Sequence, residues 1–96
     1  MTFTLRQGSV VLAEISEVRT DMPWFAGTFR RQAAFGQVQH LFEQEEVLMA
    51  EEKWDEWEML WQQIRAAGIR LVPSDSSGEI SEFAIHIDGD RCRFRY

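Results

Sequence analysis

The spacing of apolar side chains changes twice along this chain, and the two changes constrain its fold more than any other property of the sequence. From Phe3 to Arg30 apolar residues fall close to every second position, from Ala33 to Ala67 they follow a helical repeat, and from Ile69 onward the alternation returns. Alternation marks a strand with one face on a core, and the helical repeat marks an amphipathic helix, so the order is strands, helices, strands.

Phe3 to Arg6 and Val10 to Val18 are predicted strands, joined at Gln7-Gly8-Ser9 by a turn short enough for a hairpin. The second run carries Val11, Ala13 and Ile15 on one face and Val10, Leu12 and Val18 on the other, as in a central strand partly covered on both sides. Thr20-Asp21-Met22-Pro23 interrupts it, because proline has no N–H to give to a ladder. A third strand is predicted from Trp24 to Arg30. Within it Gly27, between Phe25 and Phe29, marks a bulge or a close approach of another element.

The helical region contains two apolar stripes that do not line up. Phe35, Val38, Leu41, Phe42, Leu48 and Met49 form one, and Trp54, Trp57, Leu60, Trp61 and Ile64 form the other, rotated from it by about 120° at a turn of about 100° per residue. A straight helix cannot turn both to one core, so a break is expected between Ala50 and Lys53. Gly68 suits the left-handed residue that ends the second helix. The three tryptophans share the second stripe and are expected to be core. Glu45 falls inside the first stripe, where an unpaired carboxylate is costly; it should either reach solvent or pair with an arginine from the sheet.

Ile69 to Val72 reads as a short strand, residues 73–78 as a surface loop, and Ile80 to Ile87 with Arg91 to Tyr96 as a hairpin around Asp88-Gly89-Asp90. A turn at Asp88-Gly89 opposes Ile85 to Cys92, and one at Gly89-Asp90 opposes Ile87 to Cys92. Either places apolar residues on one face and Glu82, His86, Arg91, Arg93 and Arg95 on the other. The expected fold is α+β: a mostly antiparallel sheet of about six strands, in the order βββ-αα-βββ, with two helices packed on one face and one domain over residues 1–96.

The net charge of −6 is carried entirely by the helical region, where eight carboxylates between His40 and Gly68 face only Lys53 and Arg65. With a second helix starting near residue 51, Glu51, Glu52, Asp55 and Glu56 are expected in its first turns, where negative charge complements the helix dipole by about 0.3 to 1 kcal/mol per residue. No Glu-to-Lys pair at spacing four neutralises them, so these four residues are the expected contact for a basic protein partner. The acidic balance disfavours nucleic acid and anionic membrane surfaces. The start of the chain lacks the pattern of a signal peptide, and no run approaches the about 20 apolar residues of a membrane span, which points to a cytoplasmic protein.

Chemistry is sparse. The lone Cys92 excludes an internal disulfide, and neither metal-ligand spacing, a phosphate-cradling loop nor a nucleophile motif is present, so no cofactor or metal is expected. Cys92 and His86 project to opposite faces of the predicted hairpin and cannot form a catalytic couple. The expected class is a small, non-enzymatic protein-interaction or regulatory module of the immunity-protein kind, acting as a monomer or weak homodimer. The alternative is a small-molecule binder or enzyme using the outer sheet face around His86, Arg91 and Arg93, with Glu82.

Asp21-Met22-Pro23-Trp24-Phe25-Ala26-Gly27-Thr28-Phe29 and Phe83-Ala84-Ile85-His86-Ile87-Asp88-Gly89-Asp90, with the tryptophans between them, resemble a group of short bacterial proteins of unknown function. The resemblance covers most of the chain from Asp21 onward. It implies a bacterial cytosolic setting and no activity, cofactor or partner, and it singles out Asp21 and Trp24 as an exposed corner.

Overall fold

The computed structural model describes residues 1–75 and 78–96. Three strands come first, β1 (Phe3–Gln7), β2 (Val10–Asp21) and β3 (Trp24–Arg31); a 3₁₀ turn (Ala33–Gln37) leads to α1 (Gln39–Ala50) and α2 (Trp54–Ala66); β4 (Ile69–Pro73), β5 (Ala84–Asp88) and β6 (Arg91–Arg95) complete the chain. The strands form one antiparallel sheet in the order β4-β1-β2-β3-β6-β5. This is the α+β arrangement expected, with both helices on the apolar side of the sheet. Among the described residues no helix is long and apolar enough to cross a membrane.

Register explains why one face is continuous core. Phe3 opposes Ile15, which opposes Phe29, while Phe25 opposes Phe94, which opposes Ile85. Leu5 opposes both Ala13 and Leu71, and Cys92 opposes Ile87. Onto this face α1 brings Leu41, Phe42 and Leu48, and α2 brings Trp57, Leu60, Trp61 and Ile64, all buried. The sheet is curled: Phe3 on β1 and Phe94 on β6, separated by β2 and β3, bring their rings to 5.0 Å. A flat sheet would hold those strands about 14 Å apart.

Two irregularities shape β2. Leu5 pairs with Ala13 but Arg6 with Val11, so Leu12 is the extra residue of a bulge and gives its carbonyl to the Gln32 N–H at 2.9 Å. The neighbours Leu12 and Ala13 are consequently both buried. The second irregularity lies between Ser16 and Arg19, where Glu17 adopts φ +54°. Gly27 on β3 lies against it, and a methyl there would come within 3.0 Å of the Ser16 carbonyl oxygen and 3.1 Å of Ile15 Cγ2, the close approach the sequence signalled.

Several boundaries differ from expectation. β2 runs on through Thr20 and Asp21, and only Met22-Pro23, joined by a cis peptide, forms the turn. Of the predicted first helical stretch, Ala33–Gln37 is a 3₁₀ turn. In the last hairpin Gly89 (φ +62°) and Asp90 form the loop, which selects the register pairing Ile87 with Cys92 and His86 with Arg93. β5 begins only at Ala84, while Ile80 makes an isolated bridge to Leu71 on β4. Of the predicted 73–78 loop, Ser74 and Asp75 are turn residues, and positions 76 and 77 lie outside the described residues.

Candidate functional site: an acidic corner and a basic sheet face

α1 stops where its last carbonyls are recaptured. Leu48 accepts from the Lys53 N–H at 3.0 Å and Met49 from the Glu52 N–H at 3.1 Å, a pair of bonds that requires a left-handed residue between them. At the end of α2 that residue is Gly68, with φ +83°; at the end of α1 it is Glu52, with φ +56°. The break therefore falls where the stripes predicted it, but the carboxylates divide differently. Asp55 and Glu56 occupy the first turn of α2, as expected, whereas Glu51 and Glu52 belong to the end of α1. There the helix dipole is negative and opposes them.

The corner is open. Trp54 is 50% exposed, contrary to its expected place in the core. It is the first residue of α2, and its ring meets Trp57 edge-on at 6.0 Å, while Trp57 and Trp61 carry the stripe inward. With Glu52, Lys53, Asp55 and Glu56 it lines a shallow concavity of about 450 Å³. Lys53 lies 3.2 Å from Glu51. That hydrogen bond and charge, with the charge of Glu56 behind them, raise the Lys53 ammonium above its ordinary value.

Glu45 is 1% exposed and takes neither predicted course. Its carboxylate accepts from Trp57 Nε1 at 2.9 Å and sits 3.1 Å from His86 Nδ1, so its partners are an indole and an imidazole rather than an arginine. The network ties α1 to α2 and to edge strand β5, against which α1 packs. With Nδ1 engaged, Nε2 is the ring nitrogen left to a cavity of about 190 Å³ lined by Trp24, Met49, His86 and Arg93.

Asp21 and Trp24, the predicted corner, close the β2–β3 hairpin as an opposed pair. Asp21 is exposed and Trp24 half-buried. The structure brings both to the arginines of β6: Asp21 lies 3.6 Å from Arg93, and the guanidiniums of Arg93 and Arg95 stand 6.0 and 5.0 Å from the centre of the Trp24 ring. His86 and Arg93 are direct cross-strand neighbours. Glu82 does not join them; it precedes β5 and lines a separate concavity with Trp61, Arg65 and Arg95. Arg19, which sequence reasoning missed, does join them, because Arg19 opposes Ala26 and Ala26 opposes Arg93.

Cys92 is buried, and loss of solvation pushes its thiol up to about 12, partly offset by a hydrogen bond from the Gly27 backbone. It is not a nucleophile at neutral pH. Among the described residues no group of His, Cys, Asp and Glu has the arrangement of a metal site. Comparisons of the chain with protein-family models, with curated proteins and with solved structures found no match.

Proposed function

We propose that this protein is a small interaction module that binds a basic protein segment through the corner between α1 and α2. One observation carries the reading: Glu51 and Glu52 sit at the negative end of α1, one of them in a backbone conformation that favours glycine, beside a half-exposed tryptophan. Carboxylates at a helix C-terminus and a non-glycine residue at positive φ both cost stability, and the exposed Glu51–Lys53 pair offsets little of that cost. Local features that oppose stability concentrate where a surface is used. An aromatic anchor ringed by charge is also the composition of an interface centre.

Recognition would be electrostatic at long range and apolar on contact. Carboxylates steer an arginine- or lysine-rich segment to the corner, and Trp54 offers a ring face to a guanidinium or aliphatic stem. An arginine-rich peptide titrated against the protein tests this by the change in tryptophan emission. Binding should weaken at least tenfold in Trp54→Ala and again in Glu51→Gln/Glu52→Gln, and should fall as salt is added. Affinity indifferent to salt, or unchanged in both variants, would remove the proposal.

A further inference from the structure

The outer sheet face holds a second charged feature of the opposite sign. Reading across the sheet, Arg19 on β2, Ala26 on β3, Arg93 on β6 and His86 on β5 stand in one row; Ser16, Thr28, Arg91 and Asp88 form the next. The first row is small in the middle and long at the sides; in the second, Arg91 stands beside the shorter Thr28 and Ser16. β2 and β6 flank β3, so their backbones are about 10 Å apart, and arginines from either side overhang the floor made by Ala26, Gly27 and Thr28. The result is a cavity of about 290 Å³, close to the lower size limit of small-molecule sites.

Its charge is not internally consumed. Glu17 and Asp21 also line the cavity, but the only ion pair among the described residues here is the 3.6 Å contact of Asp21 with Arg93. Each guanidinium presents a planar fork of N–H donors suited to oxyanions, and Arg19 and Arg91 line this cavity without an ion pair among the described residues. The outward-facing floor residues, Ala26 and Thr28, are short and leave the space between the arginines open, while the missing Cβ of Gly27 lies on the opposite, core side against Ile15 and Val18.

We infer that this cavity binds a small ligand carrying a phosphate or carboxylate group, held between Arg19 and Arg91 with Arg93 as third contact. The site is independent of the acidic corner and does not require that reading. A protein with a net charge of −6 repels anions at long range, so capture there depends on convergent guanidiniums rather than on the global field.

The test is an amide chemical-shift titration at constant ionic strength, with inorganic phosphate in one series and malonate in another. Saturable shifts centred on Ala26, Gly27, Thr28 and Cys92 are expected; the anion that saturates at lower concentration identifies the oxyanion class. Arg19→Gln/Arg91→Gln should weaken binding at least tenfold. Ala26→Phe, which fills the floor but keeps every charge, should weaken it equally and guards against misreading a general charge effect. Shifts spread over arginines elsewhere, no saturation with either anion, or undiminished binding in Ala26→Phe would overturn the inference.

Discussion

Glu45 keeps a carboxylate at 1% exposure with two hydrogen-bonding partners, Trp57 and His86. Leaving a buried carboxylate short of donors costs about 1.5 to 3 kcal/mol for each bond to charge that is lost. The fold supplies its own control. Trp61, one turn on in the same helix, is 2% exposed, and its Nε1 is the only buried side-chain polar atom among the described residues without a partner. Trp57→Phe and Trp61→Phe remove the same atoms, but only the first takes a donor from Glu45. Trp57→Phe should therefore cost about 2 kcal/mol more than Trp61→Phe in urea unfolding. Equal losses would mean that the indole bond to Glu45 contributes nothing net. That Glu45 stands inside an apolar stripe was readable from the sequence; which groups meet it was not, because Trp57 and His86 reach it from two other elements.

At the scale of elements, the corner joins two helix ends of opposite polarity, which makes its four carboxylates separable. Glu51 and Glu52 oppose the α1 dipole, and Asp55 and Glu56 complement that of α2, each by about 0.3 to 1 kcal/mol. Glu51→Gln/Glu52→Gln should raise the unfolding midpoint, and Asp55→Asn/Glu56→Gln should lower it, although both remove two negative charges. Midpoints that move the same way would show that net charge, not helix polarity, governs the corner. The break itself followed from a phase mismatch between two stripes and fell where expected. The allocation of charge did not, since a gap of three residues can belong to either helix, and only the recaptured carbonyls of Leu48 and Met49 fix the division. Trp54 was misread for a related reason: angular position on a helix says which way a side chain points, not whether another layer extends far enough to meet it.

Across the whole molecule, alternation and turn residues made the strand order along the chain readable, while spatial order and curl came from pairings with no local signal. β6 beside β3 is such a pairing, and it alone brings Arg19, Arg91 and Arg93 together. It also seals Cys92 beneath Gly27. A thiol raised in the folded state from 9.0 to about 12 binds its proton more tightly there, so its contribution to stability is complete below pH 9.0 and is lost as pH rises toward 12. Unfolding free energy measured on either side of pH 9.0 should fall by up to about 1.4 kcal/mol per pH unit more in the native chain than in Cys92→Ala. Identical pH profiles would show that the thiol is already solvated in the fold. The strand order has one more consequence, for synthesis. β1, β2 and β3 are made first, yet both outer edges of that meander are occupied only by strands made after the helices, β4 on one side and β6 on the other. Until those later strands and the helices dock, the three-stranded meander has two unpaired edges and an uncovered apolar face. Edge-to-edge association is therefore open to this chain in the interval between formation of the meander and docking of β4 and β6.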